Sequence, residues 1–142
     1  MDSMTYGTAL KFHGITIPPH LEEDLEVPVL TGLQAQGDLL VAPVEDLNES
    51  GLVFEVIPNA GIQVVQGEGS GNTHYLNRGP DSPGVSWASG QRGVVLGYVR
   101  VPAGQTAYLT HTDEHGCNGI GEGTYRIGRQ RERAEEIRMI AD

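Results

Sequence analysis

The chain has 142 residues, a net charge of −10 and an apolar share of only 38%. This length favours one domain with a core of its own, and the charge weighs against a general nucleic-acid or membrane binder, because phosphates and anionic lipids repel such a surface. The single cysteine, Cys117, excludes an internal disulfide and a multi-cysteine zinc site. Since no long apolar stretch and no signal pattern occur, we expect a cytoplasmic protein, or a virion component if the chain is phage-encoded.

In chain order, residues 5–17 alternate weakly between apolar and polar side chains. This pattern predicts a strand or a short hairpin that turns at His13-Gly14. Pro18-Pro19 then ends regular structure, because neither residue can donate a ladder hydrogen bond. The first part of the chain is therefore expected to be partly strand.

Downstream, short apolar runs are bounded by turn residues, and 20 glycines are spread along the chain. Such runs are typical of strands, and glycine supplies the positive φ that tight turns between them need. The turn Pro58-Asn59-Ala60-Gly61 predicts a hairpin between the strands on either side of it, and 119–123 predicts another turn. The predicted strands cover 26–30, 39–44, 52–57, 62–66, 74–76, 85–88, 94–101, 106–111 and 124–130.

The last residues, 131–141, predict a short C-terminal helix with Ile137 and Ile140 on one side. Many short strands at spacings of roughly 8–12 residues, with almost no helix, favour an antiparallel fold over alternating strands and helices. We therefore expect an all-β protein, an antiparallel sandwich or small barrel with a short C-terminal helix.

Two segments carry most of the residues that are capable of chemistry. His111 and His115 lie four positions apart with two carboxylates between them, and 126–138 holds five arginines against three glutamates. A third histidine, His74, follows the Gly-rich stretch 67–71. We expect the two segments to meet in space and to form the functional site.

A series of short motifs follows in a fixed order and spacing: Gln36-Gly37-Asp38 with Pro43-Val44, Gly67-Glu68 with Gly71-Asn72-Thr73-His74, Leu109-Thr110-His111, Glu114-His115, Gly123-Thr124-Tyr125, Arg129-Gln130-Arg131-Glu132 and Ala141-Asp142. This series resembles a family of small, largely uncharacterised bacterial and phage proteins. Asn72 stands where the family's loop has a histidine, and the two later histidines stand one residue further apart. The resemblance implies no activity. It implies a division into an N-terminal extension, 1–35, and a single β-rich domain, 36–142.

A first interpretation of the histidines is a divalent metal site, with zinc as an example. Neutral imidazoles and a carboxylate are suitable ligands, and the candidates are His74, His111, His115 and one of Asp113 or Glu114. Residues i and i+4 of one strand are about 13 Å apart, so the chain between His111 and His115 would have to curl for both to bind one ion.

A second interpretation is metal-free acid–base chemistry on a phosphoester, in which His74 and either His111 or His115 act as base and acid. Arg129 or Arg131 would then bind the phosphate as a bidentate donor. The Gly-rich stretch would bring backbone N–H groups close to the anion. The ligand-binding candidates in that stretch are Gly69, Gly71 and Asn72.

The third interpretation is the one that we favour: a small binding or assembly protein with a histidine-centred ligand pocket. His111 and His115 would then stabilise a turn, while Arg129 and Arg131 pair with carboxylates or with a partner subunit. The acidic segment 22–26 and the basic C-terminal segment suit a homo-oligomer or another protein partner. Nucleic acid is expected at most at the arginine-rich C-terminal patch. The alternative function is a metal-dependent or His/His phosphoesterase-type hydrolase.

Overall fold

A computed structural model describes residues 4–14, 26–65, 73–92, 95–111 and 116–129. Within these ranges one helix precedes eleven strands: α1 (Tyr6–Phe12), β1 (Val29–Leu30), β2 (Gln34–Gln36), β3 (Leu39–Pro43), β4 (Glu55–Val56), β5 (Ile62–Val65), β6 (His74–Arg78), β7 (Ser86–Arg92), β8 (Val95–Val101), β9 (Ala107–His111), β10 (Gly116–Ile120) and β11 (Gly123–Arg129). No helix within them has the length and apolar character that crossing a membrane requires.

The strands form two sheets that are antiparallel except where β1 pairs in parallel with β10. The five-stranded sheet has the order β1-β10-β9-β6-β5, and the six-stranded sheet has the order β2-β3-β11-β8-β7-β4. The core joins side chains of both sheets, including Leu76, Leu109 and Ile120 from the first and Val41 and Ile127 from the second. The all-β prediction is confirmed, and of its two forms the sandwich is the one that fits, since the sheets do not close into a barrel.

The N-terminal prediction of a strand or hairpin over 5–17 is wrong, because α1 occupies most of this range. Thr5 caps the helix by accepting a hydrogen bond from the Thr8 backbone N–H at 3.1 Å. Gly7 and Leu10, three positions apart in the helix, are both buried. This spacing is helical, and the weak alternation in the sequence concealed it.

The predicted hairpin around the turn Pro58–Gly61 is also wrong. The turn itself forms, with the Gly61 N–H donating to the Pro58 carbonyl at 2.8 Å. However, β4 pairs with β7 in the six-stranded sheet, whereas β5 pairs with β6 in the five-stranded sheet. The chain therefore crosses from one sheet to the other at this turn.

Strand β10 was not predicted, because its sequence is poor in strand-forming residues. It pairs with β9 on one side and with β1 on the other. A Cβ built at Gly119 would lie 2.5 Å from the Pro28 carbonyl oxygen, so glycine permits this close approach. The predicted C-terminal helix, 131–141, lies outside the described residues.

Helix α1 covers the outer face of the five-stranded sheet, where Ala9 and Val27 pack with Tyr108 and Cys117. At its C-terminal end, Nε2 of His13 lies 2.6 Å from Oδ1 of Asn77. Burial raises the pKa of the Cys117 thiol to about 11, so this cysteine is a packing residue and not a reactive one. The N-terminal part of the chain thus closes one face of the sandwich.

Candidate functional site

Strands β2, β3, β6, β9 and β11 each begin or end at one end of the sandwich. Asp38 lies in the turn between β2 and β3, His74 begins β6, and His111 ends β9. Arg129 ends β11 and pairs with Leu39, the first residue of β3. We call Gly37, Asp38, His74, His111 and Arg129 the histidine end of the sandwich.

His74 and His111 form a stacked pair at this end. They are opposite each other in the β6–β9 ladder, and their ring centroids lie 4.1 Å apart with an interplanar angle of 3°. Both side chains point into the sandwich, with 0% and 1% of their surface exposed. The two histidine segments of the sequence therefore do approach each other, at these two residues.

Gly37 packs directly against the paired rings. A Cβ built at this residue would lie 3.2 Å from the Cε1 atoms of both His74 and His111. Its φ of +56° is in the left-handed region, which side chains other than glycine adopt at a cost. A side chain at residue 37 would therefore strain the backbone and press on both rings, and glycine avoids this.

A chain of buried amides leads from the edge of the sandwich towards the rings, and it starts at Gln34. Its Nε2 donates to the Gly119 carbonyl at 2.9 Å, which orients the amide. Its Oε1 consequently faces Asn118, whose Nδ2 donates to it at 3.2 Å and to the Ala35 carbonyl at 3.2 Å. Oδ1 of Asn118 is therefore directed inwards, as an acceptor.

Gln36 continues this chain to the histidine pair. Its Nε2 donates to Oδ1 of Asn118 at 2.8 Å and to the Leu109 carbonyl at 2.6 Å. Its Oε1 is therefore the atom that lies 3.0 Å from Nδ1 of His74, and it accepts a hydrogen bond from that nitrogen. Backbone carbonyls thus fix the tautomer of His74: the proton is on Nδ1, and Nε2 carries a lone pair.

Nε2 of His74 is buried and meets no hydrogen-bond donor among the described residues. The polar atom that it faces is Oδ1 of Asp38, 3.7 Å away, which is itself an acceptor. Burial and the neighbouring His111 lower the pKa of His74 to about 4, although Asp38 acts in the opposite direction. The ring is therefore neutral at pH 7, and its lone pair is directed towards a carboxylate.

Asp38 and Arg129 form the exposed part of this end. Oδ2 of Asp38 lies 3.6 Å from a terminal guanidinium nitrogen of Arg129, and their side chains are 52% and 36% exposed. An ion pair this open to solvent adds little stability. It does, however, place a carboxylate and a guanidinium beside a buried imidazole pair.

Of the predicted site residues, the structure brings together His74, His111 and Arg129. The other predicted site residues lie outside the described ranges, and their roles stay predictions. They are Gly69, Gly71, Asn72, Glu114, His115 and Arg131. Gln36 and Asp38 also lie at this end, although their residue types in the sequence do not predict them as site residues. In β2 both glutamines are buried and Ala35 between them is exposed. This alternation would indicate that Gln36 faces the interior, but only after the buried face of the strand is known.

The stacked geometry limits what the two histidines can do jointly. A metal ion lies in the plane of its imidazole ligand, about 2.0–2.1 Å from the nitrogen, and two parallel planes do not converge on one ion. The rings are also in contact, so a phosphate cannot lie between them. Within the described ranges, no group of three or more His, Cys, Asp or Glu residues could hold a metal.

A cavity of about 430 Å³ lies elsewhere, between the segment that follows β3 and the outer face of the six-stranded sheet. Arg100 anchors this segment, because its guanidinium lies 2.9 Å from Glu49 and 4.0 Å from the centre of the Phe54 ring. Of the predicted site residues that the structure describes, His74, His111 and Arg129, none lines the cavity. The described residues that line it are Val44, Asp46, Leu47, Asn48, Ser50, Gly51, Leu52, Gly90, Tyr98 and Arg126.

The chain belongs to a family of domains of unknown function, DUF8820, whose family model matches residues 35–130. This match confirms the resemblance to an uncharacterised family in its coarse form. No curated protein and no solved structure matches the chain. The matched range contains every residue of the histidine end and both strands that carry the stacked pair.

We expect Gly37→Ala to destabilise the protein more than Gly104→Ala does. Both glycines have positive φ values, +56° and +76°, but no atom of the described residues lies within 4 Å of a Cβ built at Gly104. Gly104→Ala, the control, should lower the free energy of unfolding by about 1 kcal/mol through backbone strain. Gly37→Ala should lower it by at least about 1 kcal/mol more, because its Cβ would also displace the rings. Urea unfolding of the two variants measures the difference, and equal losses would show that the turn does not hold the rings.

The lowered pKa of His74 predicts a specific dependence of stability on pH. The unfolded chain protonates this residue near pH 6.5 but the folded protein only near pH 4, so the unfolded state binds more protons between these values. The free energy of unfolding should fall as the pH falls through this window, by up to about 3 kcal/mol. His74→Gln should remove this fall in the free energy of unfolding between pH 6.5 and pH 4, and His13→Gln should keep it. An NMR titration of the His74 ring that gave a pKa near 6.5 would contradict this.

Proposed function

We propose that this protein is a binding domain whose ligand docks at the histidine end of the sandwich. The observation that carries the proposal is the buried Nε2 of His74, which meets no donor among the described residues. Leaving a buried acceptor without a donor costs roughly 1–3 kcal/mol, so such atoms are rare and need an explanation. A ligand that supplies the missing partner would explain it.

The surroundings of His74 support this proposal. The amide chain holds one ring nitrogen, the stacked ring of His111 holds one face, and Gly37 contacts the ring edge. A site whose side chains are held in place loses little conformational entropy when a ligand binds. In sequence, the remaining candidates follow strands β5, β9 and β11, so the following residues stay candidates for ligand contacts: Gly69, Gly71, Asn72, Glu114, His115 and Arg131.

The geometry gives less support to the hydrolase alternative. Acid–base catalysis needs a base and an acid on opposite sides of the reacting phosphate. His74 and His111 are instead stacked against each other, and both are buried. A hydrolase would therefore have to use His115 as one of the two groups.

An assembly role is a second candidate, and an apolar edge of the sandwich favours it. Val29, Leu30 and Leu33 are 46%, 51% and 50% exposed, and we call them the edge patch. The patch lies beside β1 and β2, which are edge strands of the two sheets. Gln34 of β2 hydrogen-bonds to the Gly119 carbonyl of β10, so both edges lie on the same side. A second copy of the chain is the occupant that we propose, because one self-complementary edge makes a symmetric dimer.

The binding proposal predicts that a probe perturbs the histidine end without being turned over. Isotope-labelled protein would be titrated separately with Zn²⁺, inorganic phosphate and AMP, and hydrolysis of bis(p-nitrophenyl) phosphate would be measured alongside. At least one probe should shift the backbone resonances of Gly37, His74 and His111, and His74→Gln should abolish those shifts. Probes that leave all three resonances unmoved, or hydrolysis that His74→Gln removes, would overturn the proposal.

The assembly candidate predicts that the edge patch determines the mass in solution. Multi-angle light scattering should give a dimer for the wild-type chain and a monomer for Leu30→Lys, because a buried unpaired lysine is costly. Val53→Lys is the matched control, since Val53 is also exposed, at 71%, but lies away from the edge patch. A wild-type monomer, or a Leu30→Lys dimer, would remove assembly through this edge.

A further inference from the structure

His74 has the arrangement of a metal-binding imidazole. A histidine that binds a metal through one nitrogen donates the proton of the other to a carbonyl or carboxylate, which fixes the tautomer and the ring orientation. Here Nδ1 donates to Oε1 of Gln36 at 3.0 Å, and Gln36 is itself fixed by the Leu109 carbonyl and by Asn118. The lone pair on Nε2 is therefore presented in one fixed direction.

The group in front of that lone pair is a second metal ligand. Oδ1 of Asp38 lies 3.7 Å from Nε2, while Oδ2 of the same carboxylate faces Arg129. Two acceptors this close repel each other, and a cation between them turns the repulsion into attraction on both sides. Arg129 leaves Oδ1 available, because it lies beside the other oxygen.

The distance between these atoms fits a metal ion better than a water molecule. Two ligands about 2.1 Å from a zinc ion at the tetrahedral angle are about 3.4 Å apart, close to the observed gap. A water that donates to two acceptors about 2.8 Å away separates them by about 4.4 Å, because its two O–H bonds diverge. Asp38 is 52% exposed, so an ion can reach the gap from the solvent side.

We propose that the histidine end binds a divalent transition-metal ion of the zinc type between Nε2 of His74 and Oδ1 of Asp38. This inference rests on the proposed function, because it names the ligand class of the same site. One nitrogen and one carboxylate oxygen suit Zn²⁺ and its neighbours better than Ca²⁺ or Mg²⁺, which prefer oxygen alone. His111 does not bind this ion. It packs against the face of the His74 ring, where it keeps the imidazole from turning.

Isothermal titration of chelator-treated protein with Zn²⁺ tests the site. The wild-type chain should bind one ion, and His74→Gln and Asp38→Asn should each raise the Kd at least about tenfold through the loss of a ligand. Gln36→Leu keeps both ligands but removes the acceptor of the Nδ1 proton, and it should raise the Kd by about 10–100-fold. His13→Gln is the control for unspecific binding to histidine, and its Kd should equal the wild-type value.

Absorption spectra with Co²⁺ in place of Zn²⁺ report the coordination of the bound ion, and His74→Gln should change them while His13→Gln does not. Because Asp38 is half exposed, Asp38→Asn tests the site even where His74→Gln does not fold. Absence of wild-type binding up to about 1 mM Zn²⁺, or an unchanged Kd in Asp38→Asn, overturns the metal site. If phosphate or AMP still perturbs the histidine end, the binding function survives that result. If no probe does, both proposals fall.

Discussion

The interaction on which the histidine end depends is the cross-sheet hydrogen bonding of Gln36. Its backbone belongs to the six-stranded sheet, yet its side-chain amide bonds to the Leu109 carbonyl, to Asn118 and to His74, all in the five-stranded sheet. Loss of these partners would cost several times more folding free energy than the same loss at an exposed amide, because water cannot replace the partners of a buried one. Apolar packing between sheets tolerates sliding, whereas these bonds hold only in one register. Gln36 therefore fixes how the two sheets are placed at this end.

Because Gln36 fixes that register, the turn that follows it is also fixed. Gly37 lies against both imidazole rings, and the Asp38 carboxylate faces the lone pair on Nε2 of His74. The three consecutive residues thus have three separate tasks: to orient a ring nitrogen, to leave room for the rings and to supply a carboxylate. A site built on a short turn between paired strands is more rigid than one on a long loop, which suits a binding role.

The sequence predicted those parts of the fold in which local pattern and final environment agree. The apolar run of β3 and the alternating residues of β8 are strands in the structure, because the sandwich buries the faces that their patterns indicate. Strand β10 could not be predicted, because its glycines and Asn118 favour turns and the strand exists only through its neighbours. Helix α1 depended on a cap at Thr5 and on burial against a sheet that is formed much later in the chain.

For the site, the sequence indicated the histidines and an arginine but not the carboxylate that faces His74. His74 and His111 stand out by residue type, and their motifs suggested that they meet. Asp38 reads as an ordinary turn residue after glycine, and Gln36 as a polar residue at the end of a short strand. Their roles arise from contacts between two sheets, and no local pattern encodes which strands of different sheets face each other.

The two faces of strand β9 have different roles: one packs against α1, and the other contributes to the core and the histidine end. Its successive side chains point to opposite faces, so Leu109 and His111 face the core and the histidine end, while Tyr108 faces α1. The region matched by the family, 35–130, contains β9 and the histidine end but not α1. The outer face of β9 is thus covered by α1, which lies outside the matched region. The inner face of β9 contributes to the site, and all residues of that site lie inside the matched region. Changes to α1 can therefore alter the outer cover while the geometry of the stacked rings is set by Gln36 and Gly37 on the inner side.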